Sequence, residues 1–313
     1  MLKKYKKIIY PLICLLTAIV WGSGFPFQDM AGQIKPQPLD SFSFNGLRFL
    51  IAGIVLIPTF FIFEKVENKE EAKPKLKKTL IFGIIAGAIL SFSAVLQQLG
   101  IEKTGESGKA GFITGLYLII VPIATFIIFK QKPSIFVFVA IPFSLLGLFF
   151  LSVTEGLNIQ AGDVFVFICA FGFASHIILY DRVTNKTFVI RLSCIQFFVA
   201  SAICLTLGAI FGNITVELIS KTIVPIIYCG VFSAGLAYTL QLIGQKHTPP
   251  AIASLLFATE GLFATIFECL FEKSIPAPRQ IIGCALMLIA VVLSQIPTKN
   301  KELCHSRLEP TRF

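Results

Sequence analysis

Long apolar runs separated by short polar segments repeat along the whole chain. A bilayer core ~30 Å thick needs about 20 apolar residues per helix. Ten runs of that kind span residues 8–27, 42–63, 80–99, 107–129, 135–153, 163–180, 191–211, 222–243, 250–271 and 279–296. The pattern predicts an all-α membrane protein with ten transmembrane helices. No intervening segment is long enough to fold alone. The longest linker, Glu64 to Thr79, alternates Glu and Lys and reads as solvated. Function therefore has to reside inside the helix bundle.

The runs carry an internal repeat. Leu96–Thr104 (LQQLGIEKT) matches Leu240–Thr248 (LQLIGQKHT), with Leu, Gln, Gly and Thr recurring. Ala140–Gly147 parallels Gly283–Ala290, and Ala18–Ser23 (AIVWGS) parallels Ala170–Ser175 (AFGFAS). The chain divides into a first five-helix unit over 1–155, a second over 156–297 and a tail over 298–313. Five is odd, so the second unit enters the membrane from the opposite side. The two units form an inverted repeat, related by a pseudo-two-fold axis in the membrane plane. That arrangement suits alternating access, because exchanging the conformations of the halves converts a cavity open to one side into one open to the other. The plainer reading is that duplication built only a stable bundle.

Composition agrees with membrane burial. Hydrophobic residues make up 55 % of the chain and charged residues 14 %, against roughly 25 % charged in an ordinary soluble domain. Placing the N-terminus inside puts 20 basic residues on that side, in residues 3–7, 64–79, 130–132, 182–191, 246 and the tail. The other side receives six: Lys35, Lys103, Lys109, Lys221, Lys273 and Arg279. This bias predicts a multi-pass cell-membrane protein with both termini cytoplasmic. The net charge of +10 then faces anionic lipid and is no nucleic-acid footprint. Residues 1–7 resemble the start of a signal peptide, but the apolar run continues to about Phe27 without a cleavage motif and reads as a retained span. Of eight cysteines, seven fall inside the runs and Cys304 in the tail, with no C-x-x-C motif. Neither a disulfide framework nor a metal site is expected, and no cofactor.

The stretch Thr104–Gly111 (TGESGKAG) imitates a phosphate-binding loop. It fails the G-x-x-x-x-G-K-[ST] spacing, since Lys103 stands at the first glycine position and Ala110 at the Ser/Thr position. It reads instead as a hinge between the third and fourth spans. Ser107, Gly111 and Gly115 form a small stripe for close helix packing, and Lys109 is expected to snorkel outward. Catalytic constellations are missing from the sequence, so an enzyme is not expected.

Ionisable groups inside a bilayer are costly and are functional candidates by default. Glu260 lies near the middle of the ninth run, ~15 Å deep at 1.5 Å per residue. It suits proton coupling or binding of a cationic amine, and the alternative is a carboxyl that only ties helices together. Arg48, in the second run, is the natural partner of Glu260 or of a substrate carboxylate, unless it snorkels to the headgroups. His176 is expected about one turn from the cytoplasmic end of the sixth run, as a proton relay or an interhelical hydrogen-bonding group. Trp21, Tyr117 and Tyr238 offer flat apolar surface with a polar tip, for a cavity wall or for packing. Gln97 and Gln98 end the third run and Gln241 the eighth, at symmetry-related places that suit opposite mouths of a path; the alternative is interhelical hydrogen bonding.

Several stretches resemble the EamA-like permeases of the drug/metabolite transporter superfamily: Trp21–Phe27 (WGSGFPF), Leu47–Gly53, Ala110–Ile123, Tyr238–Ala264 and Ile281–Ser294. Their order across two halves carries the resemblance, over roughly residues 8–296. The chain departs from the family at Glu260-Gly261, where Glu-Pro is common, and at Lys130-Gln131-Lys132, where a Gly-Glu pair is common; the second half keeps Glu272. The resemblance implies a secondary transporter, commonly for efflux, moving a small metabolite or drug through a central cavity. An amino acid-like cargo is one such solute. The partners expected are a small-molecule substrate, the lipid bilayer and protons as a coupling ion. An importer or exchanger of another solute, such as a nucleotide-sugar, and a non-transport membrane protein are the alternatives.

Overall fold

The computed structural model describes residues 2–35, 37–63, 72–104, 107–152 and 159–296. Part of the Glu/Lys linker, Gly105, Glu106 and the tail with Cys304 lie outside the described residues. Every regular element described is helical. Among the described residues, ten helices are long and apolar enough to cross a membrane: α1 (Ile8–Gly32), α2 (Ser41–Thr59), α3 (Lys75–Thr104), α4 (Lys109–Phe129), α5 (Ile135–Ser152), α6 (Ala161–Val183), α7 (Val189–Phe211), α8 (Val216–Gln245), α9 (Pro250–Phe271) and α10 (Pro278–Gln295).

The helices form two five-helix repeats that interlock. α2 packs along α7 and α5 along α10, each against its own repeat equivalent, while α3 packs on α6 as α1 packs on α8. The main contacts thus join one half to the other and follow the two-fold relation. With little hydrophobic drive between helices in lipid, close approach depends on small residues. Gly147 and Gly283 show this at the α5–α10 crossing: a Cβ on either would lie 3.0 Å or less from the carbonyl oxygen of the other.

Gly22 sets the distance between α1 and α9. A Cβ there would come within 2.5 Å of Phe263 Cβ and 2.8 Å of the Glu260 carbonyl oxygen and the Ala264 amide nitrogen. Backbone cannot yield as a side-chain tip can, so Gly22→Ala is expected to cost about 1–3 kcal/mol and lower the melting temperature in detergent. An unchanged melting temperature would show that α1 and α9 separate freely.

Two helices are broken at repeat-equivalent positions. α4 is interrupted at Gly115-Leu116 and α9 at Ala258-Thr259. At both, one amide turns to the carbonyl three residues back: Leu116 N–H to Ile113 at 3.1 Å, and Thr259 N–H to Leu256 at 3.2 Å. A tightened turn of this kind inside a helix marks a hinge. The first residue after each break is Tyr117 in one half and Glu260 in the other. The same offset relates Lys130 and Lys273, both left-handed residues that end α4 and α9. α8 is also irregular, widening into a π-helical segment over Cys229–Leu236.

Candidate functional site

Between the halves lies a cavity of about 50 Å³, room for a few waters. Its wall is pseudo-symmetric. Trp21 and Phe173, Phe25 and Ile177, Gln97 and Gln241, and Tyr117 and Glu260 are pairs of repeat-equivalent positions, and all eight line it. The cavity is therefore built from equivalent positions of the two repeats.

The break in each helix delivers its leading side chain to this space. Tyr117 Oη donates to Glu260 Oε1 at 3.1 Å, so the hydrogen bond joins two symmetry-equivalent residues across the axis. Glu260 is buried, 9 % exposed. Arg48 lines the same cavity and is also buried. Its Nη1 donates to Gln28 Oε1 at 3.2 Å, its guanidinium lies over the Phe44 and Phe49 rings, and its Nε has no partner. Snorkelling is thus corrected: packing on Phe44 and Phe49 turns the side chain inward. Nor is Arg48 ion-paired to Glu260 among the described contacts. A cation and a carboxyl share one cavity, each held by a neutral neighbour.

Aromatic rings wall the space between them. Trp21 Nε1 donates to the Ser233 carbonyl at 3.0 Å, within the π-helical segment. That bond anchors the indole on the π-helical segment. Trp21 meets Tyr238 and Phe257 edge-on, with centroids 5.0 and 5.4 Å apart. His176 stands between Tyr180 and Tyr238, with centroids at 4.2 and 5.7 Å. Gln196 Oε1 takes the Tyr180 hydroxyl at 2.5 Å and lies 3.2 Å from His176 Nε2. α6 continues to Val183, so His176 lies two turns from its end rather than one.

The helices also outlast their apolar runs at Gln97 and Gln241. α3 extends to Thr104 and α8 to Gln245. Both amides therefore lie inside, on the one cavity, and not at opposite mouths. Gln97 Nε2 donates to Thr114 Oγ1 at 3.1 Å. Gln98 is buried but does not line the cavity. Eight of the nine residues singled out from the sequence converge here. Gln28, Thr114 and Phe173 also line it, and Gln196 holds His176 and Tyr180, none of them having been singled out. Gln196 is an amide inside an apolar run and Gln28 directly follows one, a signal that was present.

The hinge stretch differs more. Lys109 does not snorkel; its Nζ lies 2.7 Å from Asp163 Oδ2, with both side chains buried. Gly115 packs closely on Leu148, whereas a Cβ on Gly111 would meet only Phe25 at ordinary contact distance. Among the described residues, no group of three or more His, Cys, Asp or Glu is placed to hold a metal ion.

Known proteins agree with this architecture. The chain is 28 % identical over 294 residues to an uncharacterized transporter of Archaeoglobus fulgidus, covering 92 % of this chain and 86 % of that one. It is 23 % identical over 320 residues to the uncharacterized transporter YrdR of Bacillus subtilis, covering 96 % and 95 %. A solved crystal structure superposes with a TM-score of 0.72 at 15 % identity, over 91 % of this chain and 96 % of that one, which shows a shared fold. Residues 8–153 and 160–295 each match the EamA-like transporter family, and the chain belongs to it.

Proposed function

We propose that the protein is a secondary transporter that exports a small zwitterionic metabolite by alternating access around the cavity. The observation that carries this reading is the Tyr117–Glu260 hydrogen bond. It joins the two hinge residues across the axis, at paired helix interruptions of the kind that mark substrate sites in inverted-repeat transporters. Glu260 holds a proton or a substrate ammonium, and Arg48 takes a carboxylate through its free donor. Trp21 and Tyr238 cover the apolar part of the solute. The narrow cavity represents a closed state that widens to admit cargo. Both termini lie in the cytoplasm, from the excess of basic residues on that side, and a proton gradient drives export. The wall carries both charges of a zwitterion and no cluster of cations for a nucleotide's phosphates, which favours a small solute over a nucleotide-sugar.

A thermal-shift panel on the purified protein tests the substrate class. Solutes bearing both an amine and a carboxylate are expected to raise the melting temperature, because ligands that bind only the folded state stabilise it. Singly charged analogues are expected to do so less. Equal shifts for amines lacking a carboxylate would remove Arg48 from the site.

A further inference from the structure

We propose that the Lys109–Asp163 ion pair is the latch that closes the α3–α4 end of the path. The inference rests on the alternating-access reading above and adds a named closing contact to it. Lys109 begins α4 in the first half; Asp163 lies in the first turn of α6 in the second half. Their charged atoms are 2.7 Å apart, with side chains only 4 % and 9 % exposed. Burying two charges is costly, and removing one leaves the other uncompensated. Their mutual attraction is strong only while this end stays shut and water stays out.

The surroundings say which side moves. Asp163 is fixed from its own helix, because its Oδ2 accepts the Gln160 N–H at 2.7 Å. α6 is pressed backbone to backbone on α3, where a Cβ on Gly162 would come within 2.9 Å of the Gly100 carbonyl. The segment Ser107–Thr114 is instead a short rod of its own, hinged at the Gly115-Leu116 break. Thr114 at its far end lines the cavity and lies 3.7 Å from Cys169 Sγ, and Cys169 packs in one buried cluster with Ile101, Val166 and Ala110, the neighbour of Lys109. Swinging this rod away opens the cavity at this end. The matching rod in α9, Pro250–Phe257, carries Ile252 at the position equivalent to Lys109. At the α8–α9 end Tyr10 meets His247 edge-on, with centroids 4.4 Å apart.

Native thiols report both ends. Cys169 lies beneath the latch and Cys14 at the other end, where a Cβ on Gly244 would come within 2.7 Å of its Sγ; both are fully buried. The full chain in proteoliposomes is alkylated with N-ethylmaleimide, and peptide mass spectrometry reads each cysteine separately. Lys109→Met and Asp163→Asn are each expected to raise the Cys169 rate about tenfold or more, since each strands one buried charge, without raising that of Cys14. Lys109→Arg keeps the charge and is expected to keep Cys169 protected. Asparagine still accepts the Gln160 amide, so Asp163→Asn preserves the helix start. Protection of Cys169 in both neutral variants, or a parallel rise at Cys14, would overturn the latch. Wild type that moves no solute while its neutral variants expose Cys169 would leave the latch standing and remove the transport reading.

Discussion

Glu260→Gln is expected to abolish gradient-driven transport while sparing substrate exchange. Glutamine has the shape of glutamate and still accepts the Tyr117 hydroxyl, whose bond at 3.1 Å joins the two hinges. It cannot take up or release a proton. In proteoliposomes, uphill accumulation driven by a proton gradient should fall to the level seen without a gradient. Exchange at equilibrium should persist at reduced affinity, since the neutral amide oxygen still accepts a hydrogen bond from the substrate's ammonium but no longer pairs its charge. Loss of both activities in a folded variant would assign Glu260 to substrate binding instead of coupling. Loss of folded protein would make the carboxyl a structural tie between α4 and α9.

Arg48→Met tests the other pole of the site. Methionine keeps an apolar stem against Phe44 and Phe49, whose rings lie within 5.5 Å of the guanidinium carbon, but offers no donor. Truncating one partner of a buried, hydrogen-bonded charge pair costs about 2–5 kcal/mol. Affinity for a zwitterion should therefore fall by roughly 30-fold or more. Binding of the same solute lacking its carboxylate should hardly change. Arg48→Lys should not rescue, since an ammonium lacks the planar fork. A uniform loss across both solutes would show that Arg48 orders α2 rather than reading a carboxylate.

The spans and the repeat were legible because hydropathy and recurrence are local. The ten runs fall on the ten helices, and the match of Leu96–Thr104 with Leu240–Thr248 pairs Gln97 with Gln241, although both line one cavity and do not stand at opposite mouths. What lay beyond reach was set by distant partners. The breaks at Gly115-Leu116 and Ala258-Thr259 vanish into their runs, because a tightened turn of mostly apolar residues barely changes hydropathy. Comparing Tyr117 with Glu260 as repeat equivalents would have exposed them. Lys109 reads as a snorkelling lysine until α6 brings Asp163 beside it, a pairing across the two halves that no local pattern encodes. Arg48 reads as shallow because its inward turn depends on Gln28 from α1 as well as on the Phe44 and Phe49 rings. Gln97 and Gln241 sat at the edges of apolar runs, while their helices continue through polar residues sheltered by neighbours.

The central claim is that cargo crosses through this cavity. Counterflow measures that most directly: proteoliposomes are loaded with a mixture of unlabelled small zwitterions, and entry of a labelled trace is followed with no gradient imposed. A transient overshoot of label is expected with wild-type protein and none in protein-free liposomes. The overshoot should survive in Glu260→Gln and be lost in Arg48→Met. Folded wild-type protein that shows no counterflow with any zwitterion, and binds none, would contradict it.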